Sequence, residues 1–256
     1  MMRFASLGSG SKGNATLITA ADTAVLVDCG FSVKETLLRM ARLDFAPERL
    51  TAILVTHEHG DHAKGVMALS RRLKVPVYMS AGTAIALDCI ADVQVRVIDL
   101  HQSFALGDVH VHPVAVPHDA REACQFVLSF GEQRLGILTD LGHVTPHVVS
   151  AYQAVDALIL EANHDPEMLA VGPYPPSLKR RVGGPLGHLS NGQSAELLSQ
   201  IDLQRLQRVV ISHISEQNND LSLAESVLAA AIPGHEAKLQ INLQDTGFDW
   251  CQIQPL

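Results

Sequence analysis

The sequence predicts an α/β fold in which two β-sheets pack together and helices cover their outer faces. Short Val- and Ile-rich runs closed by turn residues recur in both halves of the chain, and segments of helical period alternate with them. The middle of the chain is a string of short strands joined by tight turns, so strand clusters and helices are mixed in both halves, as a layered sandwich requires.

Residues 2–7, 15–19, 23–28 and 51–55 are apolar runs of strand length. Ser32-Val33-Lys34-Glu35 reads as a capping box opening a helix, because Leu37, Leu38, Met40, Ala41 and Leu43 repeat at helical spacing. Further helices are expected at 64–73, 82–90, 146–153, 190–201 and 221–231. Residues 103–106, 109–116, 125–130 and 134–138 read as strands joined by turns at Gly107-Asp108 and Gly131-Glu132, and strands follow at 157–160, 209–212 and 238–242. The proline- and glycine-rich stretch 172–187 is expected to be a loop or flap. No compositional shift marks a second domain, so residues 1–256 read as one.

Composition narrows the function classes. No apolar run approaches the roughly 20 residues of a membrane helix. The N-terminal run gives way to Gly8, Ser9 and Gly10 before a signal-peptide stretch develops, so a cytoplasmic protein is expected. Cys29, Cys89, Cys124 and Cys251 are too widely spaced for a disulfide framework or a cysteine metal site, and read as buried free thiols. The net charge of -8 argues against a surface coated in basic residues for nucleic acid, but not against a local cationic groove.

The chemistry is concentrated in His57-Glu58-His59-Gly60-Asp61-His62, directly after the run 52–55. Residues two apart in an extended segment project to the same side, so His57 and His59 can approach one ion together. Gly60 allows a turn that brings Asp61 and His62 to a second position. Imidazole and carboxylate suit zinc, manganese or iron better than calcium. The remaining ligands should follow other strands, and His118, Asp140 and His213 each come just after an apolar run.

With these positions in place the sequence resembles the metallo-β-lactamase-fold hydrolase superfamily along almost its whole length. That resemblance implies a four-layer αββα sandwich holding two divalent metal ions. His57, His59 and His118 would bind the first, Asp61, His62 and His213 the second, and Asp140 would bridge them. The segments 6–14, Val27-Asp28-Cys29-Gly30, Glu161-Ala162-Asn163-His164-Asp165 and Gly187-His188-Leu189-Ser190-Asn191 are similar to the bacterial YycJ/WalJ-like branch, which implies 5′→3′ DNA exonuclease activity.

Paired metals lower the pKa of a water from 15.7 to about 7 and neutralise oxyanion charge, so hydrolysis follows. Asp61 would orient that water and accept its proton. Ser190-Asn191-Gly192-Gln193 reads as a capping box, placing His188 just before a helix N-terminus that favours phosphate. His188 is expected to bind the scissile phosphate or protonate the leaving oxygen, with His164 and Ser190 as further contacts. Gly8-x-Gly10-x-x-Gly13 matches the dinucleotide fingerprint only formally, because residues 15–19 continue as a strand and not a helix; no dinucleotide cofactor is expected. A hairpin turn there leaves Lys12 and Asn14 to reach the substrate. Lys179-Arg180-Arg181 is the one strong basic cluster and would contact a phosphate backbone. His110 and His112 share a strand face without a following carboxylate and read as structural; His101, His143, His147 and His235 have no partner pattern.

DNA is the expected substrate. A small-molecule hydrolase acting on a thioester, lactone or cyclic phosphodiester is the alternative, favoured by the acidic charge and modest size. A non-catalytic metal module fits the seven candidate ligands less well, because structural sites close all positions and rarely use two ions.

Overall fold

The computed structural model describes residues 1–235 and 238–255. Among these, the strands form two seven-stranded sheets. The first contains β1 (Met2–Gly8), β2 (Ala15–Ala20), β3 (Thr23–Val27), β4 (Ala52–Leu54), β5 (Val77–Met79), β6 (Val95–Val97) and β14 (Phe248–Gln252), in the order β14-β1-β2-β3-β4-β5-β6. The second contains β7 (Phe104–Leu106), β8 (Val109–Ala115), β9 (Cys124–Phe130), β10 (Gln133–Leu138), β11 (Ala157–Glu161), β12 (Arg208–Ser212) and β13 (Leu239–Ile241), in the order β13-β12-β11-β10-β9-β8-β7. Each sheet is part parallel, through β3-β4-β5-β6 and β10-β11-β12-β13, and part antiparallel.

Alternation along the strands builds three apolar layers. Val25 and Val27 of β3, Leu54 of β4 and Ile159 of β11 face the layer between the sheets, together with Phe4 and Phe126. Their neighbours Leu26 and Ile53 face outward onto Met40 of α1 (Val33–Arg42) and Val66 and Leu69 of α3 (Val66–Leu73). On the other side Leu158 and Leu160 face Val148 of α5 (Pro146–Ala151), Leu197 of α8 (Asn191–Gln200) and Leu228 of α9 (Leu221–Ala231). Strands buried on both faces read as continuous apolar runs, which is why they were visible in sequence. The order helix, sheet, sheet, helix is the expected αββα sandwich.

Several elements depart from expectation. The stretch 172–187 holds a helix, α7 (Pro176–Val182), after α6 (Pro166–Val171). Pro175 is its N-cap and Pro176 its first residue, where a missing N–H costs nothing, and Gly183 closes it. The helix expected at 64–73 is α3, starting at Val66 and preceded by an unexpected short helix, α2 (Gly60–Ala63), and the one at 82–90 is shortened to α4 (Ala81–Ala86). β5, β6 and β14, two of them only three residues long, were not foreseen. Ser32 caps α1 through the Glu35 N–H, but Glu35 turns to Arg39 at 2.7 Å and leaves that capping box half made. Ser190 and Gln193 complete theirs. The four cysteines are free, Cys251 partly exposed. No helix among the described residues is long and apolar enough to cross a membrane.

Candidate metal centre

The centre lies at the carboxyl ends of the parallel strands. His57 and His59 follow β4, and α2 begins at Gly60, placing Asp61 and His62 in a first helical turn. His118 follows β8, Asp140 lies two residues past β10, and His213 directly follows β12. Asp28, Asp140 and His213 have φ of 62°, 54° and 53°. Such left-handed backbone costs a non-glycine residue about 1–3 kcal/mol, and here it turns three side chains sharply inward at strand ends.

Two donor sets result. In the first, His57 Nε2 lies 3.0 Å from His59 Nδ1, and His118 Nε2 lies 3.3 Å from the same atom. Nitrogen ligands at the roughly 2.0–2.1 Å of a tetrahedral ion sit about 3.3–3.4 Å apart, so this triangle has nearly the required size. In the second, His62 Nε2 is 3.5 Å from Asp61 Oδ2 and 3.2 Å from Asp140 Oδ2, and His213 Nε2 is 3.6 Å from Asp61 Oδ2. Asp140 also groups with His57 and His62, so its carboxylate faces both sets. His213 Nε2 and Asp140 Oδ2 are buried without a hydrogen-bond partner. A buried polar atom without a partner is costly, and a cation between these atoms removes that cost. The residues therefore fit divalent metal ions.

An outer ring of groups fixes the ligands. His62 Nδ1 lies 2.8 Å from Asp28 Oδ2, and Asp28 also accepts from the Thr56 N–H and hydroxyl at 2.8 Å each. His118 Nδ1 donates to the Gly187 carbonyl at 3.0 Å, leaving Nε2 for the metal. Glu161 is fully buried: its Oε2 accepts from the Leu141 and Leu189 N–H groups, and its Oε1 faces both His213 Nδ1 at 3.1 Å and His188 Nδ1 at 2.7 Å.

Burial, aided by neighbouring His62, pushes His57 well below the usual histidine range and keeps its lone pair available. His118 is likewise lowered by burial. Burial opposes charge on Asp61, but His62 and His213 outweigh it and hold the carboxyl well below the usual range. Asp140 behaves alike, with burial outweighed by His213 and His62. Conversely, burial is outweighed at His62 by Asp140, Asp28 and Asp61, and at His213 by Asp140 and Asp61, which raise His62 well above its ordinary value and His213 to about 10. In Glu161 burial yields to His188 and His213, which lower it to about 2.

The structure brings all seven expected ligands together. A cleft of about 390 Å³ opens beside them, lined by His59, Asp61, Asp140, His188 and His213. Apart from Arg181, the remaining expected substrate contacts do not line this cleft. Asn14 is buried, and its amide is held by the Gly10 backbone, Asp61 and His62. Ser190 is committed to capping α8. His164 is buried beneath the cleft wall, its Nδ1 unpartnered. Lys12 pairs with Glu216 at 2.9 Å, and Lys179 donates to the Ala170 carbonyl at 2.7 Å. Of the basic triplet only Arg181 lines the cleft, since helical spacing turns Lys179 and Arg180 aside. His110 and His112 join no donor group among the described residues.

Sequence reasoning gave no role to three groups that the geometry singles out, Asp28, Asp119 and Glu161, and it expected Arg181 only as a phosphate-backbone contact. Asp28 and Glu161 each end an apolar run, the signal that located Asp140 and His213. Asp119 adjoins His118 and pairs with Arg181, and nothing local marks that pairing.

Fold and cage together define a metal-dependent hydrolase of the metallo-β-lactamase type. The chain belongs to the β-lactamase superfamily, whose domain model matches residues 23–214, and within it to the YycJ/WalJ-like branch. It is 33% identical over 229 residues to exodeoxyribonuclease YycJ of Bacillus anthracis, covering 87% of this chain and 86% of the relative. It is 31% identical over 232 residues to exodeoxyribonuclease WalJ of Streptococcus pneumoniae, covering 88% and 86%. The zinc-bound structure of PqqB from Methylobacterium extorquens superposes with a TM-score of 0.75 at 16% identity, covering 98% of this chain and 99% of that one. The metallo-β-lactamase fold protein YhfI from Bacillus subtilis superposes at 0.73 with 14% identity, covering 98% and 100%. At such identities these two structures speak to the fold.

Proposed function

We propose that the protein is a dinuclear metal-dependent phosphodiesterase that degrades DNA as a 5′→3′ exonuclease in the cytoplasm, with zinc or manganese as its metals and iron compatible. The observation that carries this reading is the pair of donor sets meeting at Asp140 beside an open cleft. Relatives named exodeoxyribonucleases, aligned over most of both chains, support DNA as the substrate.

His57, His59 and His118 would hold one ion and Asp61, His62 and His213 the other, with Asp140 between them. When bound, the ions supply a water of lowered pKa and neutralise charge on phosphate oxygens. Asp61, which lines the cleft, would orient that water and accept its proton. His188 Nδ1–H donates a hydrogen bond to Glu161, which fixes the ring; in its doubly protonated form the ring would give its Nε2 proton to the leaving oxygen.

The test is digestion of end-labelled linear DNA with zinc or manganese supplied in turn, beside His59→Ala, His188→Ala and a bis(p-nitrophenyl) phosphate control. Progressive nucleotide release, lost in His59→Ala and in a metal-replete His188→Ala protein, supports the reading, and the labelled end reports polarity. Cleavage of the small diester alone replaces it with the small-molecule alternative. Unchanged turnover in His188→Ala removes that residue's role.

A further inference from the structure

The chain is poor in aromatic residues, with one Trp, three Tyr and seven Phe. All seven phenylalanines and Trp250 belong to the apolar layers. Tyr78 stacks on Phe104, and Tyr152 is fully buried with its hydroxyl donating to the Ile137 carbonyl. Tyr174 is different. It lines the metal cleft, its ring has no aromatic or cationic partner among the described residues, and its hydroxyl makes no hydrogen bond there.

Its presentation is rigid. Pro173 precedes it and Pro175 and Pro176 follow, in the connection between α6 and α7. Each proline ring locks its own φ, and a proline also restricts the residue before it, so Tyr174 sits in a bend of restricted backbone at little entropic cost on binding. One face of α7 continues the same wall: Leu178, Arg181 and Val182 line the cleft at helical spacing. The Arg181 guanidinium pairs with Asp119, next in sequence to the ligand His118, so this wall is tied to the donor set itself. The cleft volume of about 390 Å³ lies near the low end of ligand pockets, roughly 300–1,000 Å³, and suits one nucleotide-sized group.

We propose that Tyr174, backed by Leu178 on α7, is a stacking subsite for the terminal nucleobase of the strand being cleaved. This rests on the nuclease reading and adds its specificity: the terminal base is unpaired and recognised by its π-face, with tolerance of base identity. Tyr174, Leu178 and Val182 line the same cleft as Asp61, Asp140 and His213, so a phosphodiester at the donor sets would have this apolar wall available to one nucleoside.

The experiment compares wild type, Tyr174→Ala and Tyr174→Phe on single-stranded oligonucleotides whose end nucleotide is intact or abasic, at each end in turn, with metal content and melting temperature matched. Base–aromatic stacking predicts that Tyr174→Ala raises KM about tenfold with kcat little changed, while Tyr174→Phe behaves as wild type. An abasic end should impose a similar KM penalty on wild type and little further penalty on Tyr174→Ala. Equal losses in the Phe and Ala variants, or wild-type indifference to the abasic end, would overturn the subsite. Wild type that cleaves bis(p-nitrophenyl) phosphate but no DNA would remove the nuclease reading and the subsite together, an outcome distinct from DNA degradation indifferent to Tyr174.

Discussion

His188 and His213 share one acceptor: their Nδ1 atoms lie 2.7 Å and 3.1 Å from the same Oε1 of Glu161. A single buried carboxylate thus orients a candidate metal ligand and the candidate proton donor, so the two rings are set relative to each other.

Glu161→Gln should therefore lower both activity and metal affinity. The amide must turn its NH2 either toward two histidine N–H groups or toward the Leu141 and Leu189 N–H donors, and either leaves donor facing donor. Loss of such an outer-ring partner typically costs about 10–100-fold. Steady-state kinetics beside metal analysis of the same preparation would check this, and full activity with full metal occupancy would contradict it.

Asp28→Ala should weaken the second donor set selectively. The carboxylate holds His62 through Nδ1 and is itself held by Thr56. A chelator-competition titration should show one of two binding steps weakened about 10–100-fold while the other is retained. Equal weakening of both would mean that Asp28 supports the whole cage.

Metal affinity should rise with pH. Burial opposes protonation of His62 and His213, but the surrounding carboxylates raise both, His213 from 6.5 to about 10, so without metal these rings carry protons at neutral pH. Metal binding must expel them. Apparent affinity should tighten steadily from pH 6 to 9, with proton release measurable by calorimetry in buffers of different ionisation enthalpy. The sign is opposite for the metal-free fold. The raised His213 pKa stabilises it fully below about pH 6.5, and that contribution is lost as pH rises through about 10.

Arg181→Ala should loosen the cleft wall without unfolding the protein, because the side chain is about half exposed and its partner is Asp119. An expected KM increase of about three- to tenfold on DNA, with an unchanged melting temperature, corresponds to roughly 1 kcal/mol, the upper range for an exposed pair. A large fall in melting temperature would instead make the pair structural.

Much of the fold was legible because its strands are buried on both faces: runs such as 23–27 and 157–160 have no polar alternation to confuse with a helix. β5 and β6 were not expected from the sequence and are held as strands by pairing, β5 on β4 and β6 on β5. α7 was missed because its prolines read as breakers in isolation. Only at the N-cap and first turn do they start a helix, and that position is set by how α6 ends.

The sequence by itself determined the candidate ligand types and their local order, since His57, His59, Asp61 and His62 are placed by one strand end, one glycine and one helical turn. It also marked His118, Asp140 and His213 as polar residues ending apolar runs. Only the tertiary structure decided which polar groups stand behind or beside the ligands. Asp28 meets His62, Glu161 joins His188 to His213, and Arg181 reaches Asp119 across 27 to 62 residues of chain. These pairings depend on the stacking of two sheets and the closing of α7 over their strand ends. Local spacing cannot encode a contact whose partners are brought together only when the apolar layers are buried.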